Sequence, residues 1–192
     1  MEKIYDLWAK RNPEWEIRFA DSIMNTYSDY GKGNSQFVIS RGKIFGAGYE
    51  MFIIAFFIGL YFDKTRILDE DNSKKKTCGQ AIQYWGNIET RGIRQTYGAI
   101  RKFIFVALVA KTDIDFIALE KGDAKVTPRK VVDMLIDKME QYANFGFYYM
   151  EERLADDPNY FFKDRSFLRE IMQFVDADSK PFETDDDEPE AL

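Results

Sequence analysis

The sequence predicts an all-α protein. A single domain, residues 1–175, contains about six or seven helices around a buried apolar central helix, and a disordered acidic C-terminal tail, residues 176–192, follows it. Helix-capping residues recur along the chain, whereas turn signals between alternating apolar residues do not. Seventeen Phe, eleven Tyr and three Trp residues supply enough apolar area for one large core.

The central helix is predicted over residues 51–62, in the stretch RGKIFGAGYEMFIIAFFIGLYFDK. Twelve uncharged residues form a helix of about 18 Å, shorter than the roughly 30 Å of hydrocarbon in a bilayer. Extending the helix back to residue 44 would place Glu50 and three glycines in the membrane, and a lone acid there is costly. We therefore expect no membrane span and a helix that is apolar all round because it is buried. The buried Glu50 then needs a partner, and the candidates are Arg41, Arg91 and Arg94.

GKIFGAG is not a phosphate-binding loop, because Lys43 follows its first glycine instead of its last. Its glycines do not have the spacing of the dinucleotide-binding fingerprint either. They favour a close approach of two helices instead. The chain has no histidine and one cysteine, Cys78, so the usual metal ligands are missing. We expect no cofactor and no metal. The cysteine usage and the lack of an apolar signal segment at the N-terminus predict a cytoplasmic protein.

The first helix is predicted in RNPEWEIRFADSIMNTYSDYGKG, with Asn12 as N-cap, Pro13 at the first helical position and Gly31 as the stop. Its apolar residues recur at every fourth position, as on one face of a helix: Trp15, Phe19, Ile23 and Tyr27. After the central helix, ILDEDNSKKKT is predicted to be a charged loop.

Two helices are predicted in the middle of the chain. CGQAIQYWGNIE gives a short helix that ends near Gly86, and GIRQTYGAIRKFIFVALVAK gives a longer one. The apolar face of the longer helix contains Ile93, Tyr97, Ile100, Ile104 and Leu108. The run FIFVALVA also fits a buried strand, but no partner strand is evident, so we predict a helix.

Three further helices complete the domain. Thr112 is the predicted cap of TDIDFIALEKG, which stops at Gly122. Thr127 caps the helix with the clearest signals, which begins at Pro128 and ends before Pro158. That helix carries the apolar stripe Val131, Leu135, Met139 and Tyr142. KDRSFLREIMQFV forms the last helix before the tail.

Charge is distributed unevenly along the chain. The formal net charge is −6, but residues 176–192 alone hold eight acids and one lysine, so the first 175 residues carry +1. Residues 72–111 hold eight bases and one acid. The sequence therefore has a basic middle and an acidic end. The tail is either a solubilising segment or one that competes with phosphates for the basic residues. Phe182 is a candidate anchor of the tail to a partner.

The basic middle predicts contact with nucleic acid, because affinity for phosphates comes largely from clustered Lys and Arg. Three aromatic residues in the same segment are candidates for stacking on bases: Tyr84, Trp85 and Tyr97. The alternatives are a solvated basic face and a site for an acidic protein partner. The predicted nucleic-acid-binding residues are Lys74, Lys75, Lys76, Arg91, Arg94, Arg101 and Lys102.

Few groups are candidates for catalysis. The absence of histidine removes the commonest general base, and Cys78 is predicted to be a buried structural thiol. Glycoside hydrolysis needs only two acids, and the pairs offered by the sequence are Glu14 with Glu16, Asp113 with Asp115, and Glu151 with Glu152. Residues one or two apart on a helix point to different faces, which speaks against all three pairs.

The stretch FVISRGKIFGAGYEMFIIAFFIGLYFDK resembles the core of the small all-helical accessory proteins of bacterial DNA phosphorothioation, the DndE type. The similar part is IIAFFIGLYFD, residues 53–63, in which Ile53 stands where the family has Arg and Gly59 where it has Ser. The resemblance implies an oligomeric, non-catalytic protein that touches DNA through surface lysines within a DNA-modification or anti-phage assembly.

The first hypothesis is therefore a non-enzymatic helical accessory subunit of a prokaryotic DNA-associated complex for modification or defence. It contacts DNA through the basic middle and associates with a protein partner or with further copies of itself. The second hypothesis is a scaffold subunit that binds only protein. The third is a small carboxylate-dependent hydrolase of the glycoside type.

Overall fold

The computed structural model describes residues 3–28, 45–86, 97–121 and 126–178. Within these residues the protein has seven α-helices and one two-stranded antiparallel sheet, which confirms the predicted all-α class. The α-helices are α1 (Ile4–Ala9), α2 (Asn25–Tyr27), α3 (Gly48–Phe62), α4 (Gly98–Ala110), α5 (Phe116–Lys121), α6 (Pro128–Asp156) and α7 (Ser166–Asp178). The strands are β1 (Glu14–Glu16) and β2 (Lys75–Thr77).

Helix α3 is the centre of the core, which confirms the predicted buried central helix. It packs along α6, and its Met51, Phe52 and Phe56 side chains are completely buried. Among the described residues, no helix is long and apolar enough to cross a membrane.

Glycine residues allow α3 and α6 to cross in close contact. Gly59 of α3 lies against the backbone of Tyr142, and Gly146 of α6 lies against the backbone of Ala55. A Cβ atom at either glycine would overlap the opposing carbonyl group. The paired positions also show that the two helices run antiparallel, because 55 meets 146 and 59 meets 142.

Glu50, in the first turn of α3, is 8 % exposed and accepts hydrogen bonds. The Tyr97 hydroxyl donates to its carboxylate at 2.8 Å, and the Gly46 backbone N–H donates at 2.7 Å. These bonds replace water that the carboxylate loses on burial. The arginines predicted as partners of Glu50 lie outside the described residues: Arg41, Arg91 and Arg94.

The predicted helix over residues 12–31 is wrong in its first part, where the chain forms β1 instead. The strand pairs with β2, and the Pro13 carbonyl accepts the Cys78 N–H at 2.9 Å. The Trp15 indole is buried and donates to the Thr77 carbonyl at 3.2 Å. These contacts with a distant part of the chain outweigh the local capping signals at Asn12 and Pro13.

The rest of that segment is helical in three forms. A 3₁₀ helix (Ile17–Phe19) leads into a π-helix (Ala20–Met24) and then into α2. The predicted stop at Gly31 lies outside the described residues. The side chains predicted to share one apolar face are all buried: Trp15, Phe19, Ile23 and Tyr27.

The segment before α4 is less helical than predicted. The described part of CGQAIQYWGNIE has a 3₁₀ turn, Ile82–Tyr84, after which Gly86 adopts a φ of 74° that turns the chain. Helix α4 is present as predicted, in place of the alternative strand. Of its predicted apolar face, Ile104 and Leu108 are buried, Ile100 is exposed, and Ile93 lies outside the described residues. The predicted charged loop contains β2, because those residues pair with β1.

The C-terminal helices follow the prediction with one change of cap. Thr127 Oγ accepts the Lys130 N–H at 3.3 Å at the start of α6, and the predicted apolar stripe of this helix is buried. Helix α5 is capped by Asp115, which accepts the Ala118 N–H at 2.8 Å. Thr112, the predicted cap, instead donates its hydroxyl to a carbonyl at the end of α4.

Candidate functional site

Three of the predicted nucleic-acid-binding residues lie at β2. Lys74 pairs with Asp69 at 2.8 Å, and the largely buried Lys75 lies 3.9 Å from Glu14. Lys76 alternates with Lys75 along the strand and is exposed. Acids therefore balance Lys74 and Lys75, and the exposed charge of β2 is that of Lys76.

Arg101 and Lys102 lie in the first two turns of α4. The Arg101 guanidinium donates to the backbone carbonyls of Ile82 and Gln83, so it fastens the 3₁₀ turn to the helix. Carbonyl groups carry no net charge, so Arg101 remains a positive charge at this end of α4, and Lys102 is exposed beside it. The two remaining predicted residues lie outside the described residues: Arg91 and Arg94.

Of the aromatic residues predicted to stack on bases, Tyr84 is the accessible one. Tyr84 is 53 % exposed, whereas Trp85 is buried. Tyr97 is half-buried and its hydroxyl is hydrogen-bonded. Because Arg101 holds the turn that contains Tyr84, the exposed ring and the positive charge share one end of α4.

An exposed apolar surface on α4 was not predicted from the sequence. Ile100, Phe103 and Val106 are 36, 56 and 63 % exposed. They lie three residues apart, with Phe103 and Val106 on the side opposite the buried Ile104 and Leu108. The helix is therefore apolar on its outer side as well as on its core side. Large contiguous apolar patches on a protein surface are candidate interaction sites.

This surface continues onto α3. The Phe57 ring centroid lies 5.8 Å from that of Phe103 and 6.4 Å from that of Tyr61, which is itself exposed. Phe57 therefore joins the exposed residues of the two helices. We call this group the α4 face: Phe57, Tyr61, Ile100, Phe103 and Val106.

Helices α3 and α4 run side by side in the same direction. Tyr97, just before α4, reaches Glu50 in the first turn of α3. Lys111, just after α4, lies 2.9 Å from Asp63, just after α3. The α4 face thus has a basic end at the start of the helix, and at its other end a lysine is balanced by an acid.

A second candidate is a polar pocket of about 290 Å³ between β1 and α6. Its polar walls are Arg11, Asn12, Glu14, Asp133, Asp137 and Glu140. Positions 133, 137 and 140 share one side of α6 because they are about one turn apart. The spacing of the three acids is visible in the sequence, but Glu14 joins them only because β1 packs against α6 in the folded chain.

Glu140 titrates unusually in this pocket. Burial raises its pKa to about 7, and the charges of Glu14 and Asp137 add to the rise. The Glu14 backbone N–H, which donates to Glu140 at 2.8 Å, and the charge of Lys75 act in the opposite direction. A carboxyl group with this pKa exchanges a proton at neutral pH. Among the described residues, no cluster of side chains could hold a metal ion.

The acid pairs proposed for hydrolysis are separated or engaged elsewhere. Glu14 and Glu16 lie two residues apart on the same side of β1, yet each lines a different pocket. Asp115 caps α5, and Glu151 pairs with Arg18 at 2.7 Å.

No family model, curated protein or solved structure matched this chain. The resemblance to DndE-type accessory proteins therefore stays a prediction.

Proposed function

We propose that the protein is a non-enzymatic helical subunit that binds a protein partner, or further copies of itself, through the α4 face. The observation that carries the proposal is the exposure of Phe103 and Val106 on a helix whose other side is core. Burying such side chains in an interface releases water and favours association. An ordinary surface helix presents polar residues outward.

The acidic pocket gives weaker support to a hydrolase. Its acids already have partners within the protein, since Glu140 accepts the Glu14 N–H and Asp133 pairs with Arg11. Glu140 exchanges protons near neutrality, but a second acid with a defined role is not apparent among the described residues.

Replacing Phe103 tests the proposal. We expect Phe103→Ser to weaken association by roughly tenfold or more, since exposed aromatic anchors carry much of an interface's affinity. Association is measured by sedimentation over a concentration series for self-assembly, and by quantitative co-purification from the source cells for other partners. Met134→Ser is the matched control, because Met134 is an exposed apolar residue of α6. Equal association by both variants would rule out the α4 face.

Contact with DNA, within a prokaryotic modification or defence complex, is the second candidate function. The observation that favours it is the exposed Tyr84, which lies in the turn that Arg101 holds at the start of α4. Lys102 adds an exposed positive charge at the same end of the helix. A helix N-terminus adds partial positive charge there, and an exposed aromatic ring can stack on a base. This end adjoins the α4 face, so one subunit can hold DNA and protein together.

Fluorescence anisotropy with labelled single-stranded and duplex DNA tests this second function. Binding should fall steeply between about 50 and 200 mM salt, and Tyr84→Ala and Lys102→Glu should each weaken it roughly fivefold to tenfold. Lys130→Glu, which reverses an exposed charge on α6, is the charge-matched control. Absence of binding at low salt would leave protein association as the only function proposed.

We propose that this subunit works in the cytoplasm. Cys78 is free and buried, which is compatible with a reducing compartment.

A further inference from the structure

The chain carries a segment whose chemistry complements the α4 face. Because α7 extends to Asp178, the tail is from here on the part that follows it, residues 179–192. It holds six acids and one lysine, a net charge of −5. Its single aromatic residue, Phe182, precedes all six acids. The segment thus combines one large apolar side chain with a run of negative charge.

The basic end of the α4 face has the opposite charge. The described partners of the Arg101 guanidinium are carbonyl groups, so its charge is not cancelled by them. Lys102 is exposed and lies next to Phe103 in the sequence. The start of α4 adds the positive end of the helix dipole. Arg101 lies on the core side of α4, close to the buried Leu108, whereas Lys102 lies one turn before Val106 on the exposed side. Lys102 therefore places a positive charge beside the apolar centre of the α4 face.

The distance between the apolar and charged parts is similar in the tail and on the α4 face. Phe103 lies five residues, or about 8 Å of helix, from the start of α4. In the tail, Asp185 lies three residues, or about 10 Å of extended chain, after Phe182. The fourteen residues of the segment can span up to about 48 Å, and the radius of gyration of a compact domain of this size is about 16 Å. Reach therefore does not limit which face the segment meets.

We propose that residues 179–192 occupy the α4 face of the free protein, with Phe182 on its apolar centre and the acids at its basic end. The inference rests on the proposed function, because it makes the tail an internal competitor for the surface that a partner binds. Tethering raises the local concentration of the tail to about millimolar, so weak contacts are enough to fill the face. A partner with a larger interface then displaces the tail.

Site-specific photo-cross-linking in the full chain tests the inference. Phe103 is replaced by the photoreactive amino acid p-benzoylphenylalanine, which its exposure allows, and the same replacement of Met134 is the control. Mixing unlabelled and ¹⁵N-labelled protein separates cross-links within one chain from those between copies. We expect position 103, and not position 134, to cross-link within the chain to residues 179–192.

A second variant tests the role of the tail's own side chains. Combining Phe182→Ser with Asp185→Asn, Asp186→Asn and Asp187→Asn should lower the cross-link yield from position 103 roughly fivefold or more, since the apolar contact and the charge attraction are both lost. An unchanged yield would overturn the inference.

The remaining outcomes separate this inference from the proposed function. Cross-links from position 103 that join two copies would overturn occupancy by the tail while supporting assembly through the α4 face. Cross-links to residues 179–192 from positions 103 and 134 alike would show an unspecific tail and overturn the inference. No cross-link from position 103 in the free chain would overturn it as well, and association tested with Phe103→Ser would then decide the proposed function alone.

Discussion

Glu140 lies on α6 with its carboxylate under β1, where protonation and folding are linked. Its pKa is about 7 in the folded protein, against an ordinary value of 4.5. Between these values the folded chain holds a proton that the unfolded chain has released. The contribution of Glu140 to the free energy of unfolding is complete below pH 4.5, the pKa of the unfolded chain. It decreases as the pH rises, and it is lost above pH 7, the approximate pKa of the folded chain. The full shift corresponds to about 3 kcal/mol.

Glu140→Gln should remove this pH dependence, because Gln keeps an oxygen to accept the Glu14 N–H and does not ionise. Near pH 4.5 we expect similar free energies of unfolding for the variant and the natural chain. At about pH 8 the variant should be more stable by about 2 to 3 kcal/mol. Urea unfolding at both pH values measures this.

The control for Glu140→Gln is Glu152→Gln, an exposed acid of the same helix. It should keep the pH dependence of the natural chain. If Glu140→Gln keeps it too, another group causes the loss of stability in this window.

Cys78, the residue after β2, should be almost inert in the folded protein. The thiol is 4 % exposed, and burial raises its pKa well above the ordinary value, with the charge of Glu140 adding to the rise. Since the thiolate is the reactive form, we expect a thiol reagent to react roughly a hundredfold or more slowly with the native chain than with the urea-unfolded chain. Comparable rates in the two states would show that Cys78 opens to solvent frequently.

At the scale of the element, β1 shows that the buried positions of a segment can be predicted correctly while its backbone conformation is predicted wrongly. Trp15, Phe19, Ile23 and Tyr27 are all buried, as one face of a helix would be, yet the first of them lies in a strand. An N-cap and a proline are local signals of moderate energy. The pairing with β2 supplies backbone hydrogen bonds that depend on residues far along the chain, and local patterns contain no information about them.

At the crossing of α3 and α6, one added carbon atom is enough to force the two helices apart. Gly146→Ala places a methyl group on the carbonyl of Ala55, so the helices must separate. We expect the free energy of unfolding to fall by about 2 to 3 kcal/mol, a typical cost of overpacking, measured by urea unfolding.

Gly98→Ala is the matched control for the crossing. At this first residue of α4, an added Cβ would meet a single atom at 3.9 Å, the Nη2 of Arg101. Because Ala also favours helix, the variant should be unchanged or more stable by up to about 1 kcal/mol. Equal destabilisation by Gly98→Ala and Gly146→Ala would show that the loss comes from replacing glycine in general and not from the crossing.

For the whole molecule, the sequence predicted the architecture better than the surfaces. The apolar content of α3 and the stripe of α6 predict burial directly, because few other environments suit such patterns. The α4 face could not be predicted, since a helix that is apolar all round looks the same whether one side or both sides are covered. The sequence showed the basic residues, but not that Arg101 would bind carbonyls or that Lys74 would pair with Asp69.

The last helix of the described chain, α7, belongs to the core, whereas the residues after it are expected to add little stability. Helix α7 continues to Asp178, three residues beyond the predicted domain end at 175. Its Phe167 ring stacks on Phe161 with centroids 4.8 Å apart, and its buried Glu170 accepts the Tyr149 hydroxyl at 2.6 Å. These contacts belong to the core, so a chain that ends after Asp178 should keep the stability of the full chain to within about 0.5 kcal/mol.

A chain that also lacks α7 is the comparison for that truncation. It should lose at least about 3 kcal/mol, because Phe161 and Tyr149 lose buried partners. Urea unfolding of the three chains measures both effects. If removing residues 179–192 alone costs as much as removing α7, the tail is part of the core. In that case it could not act as a competitor that a partner displaces from the α4 face.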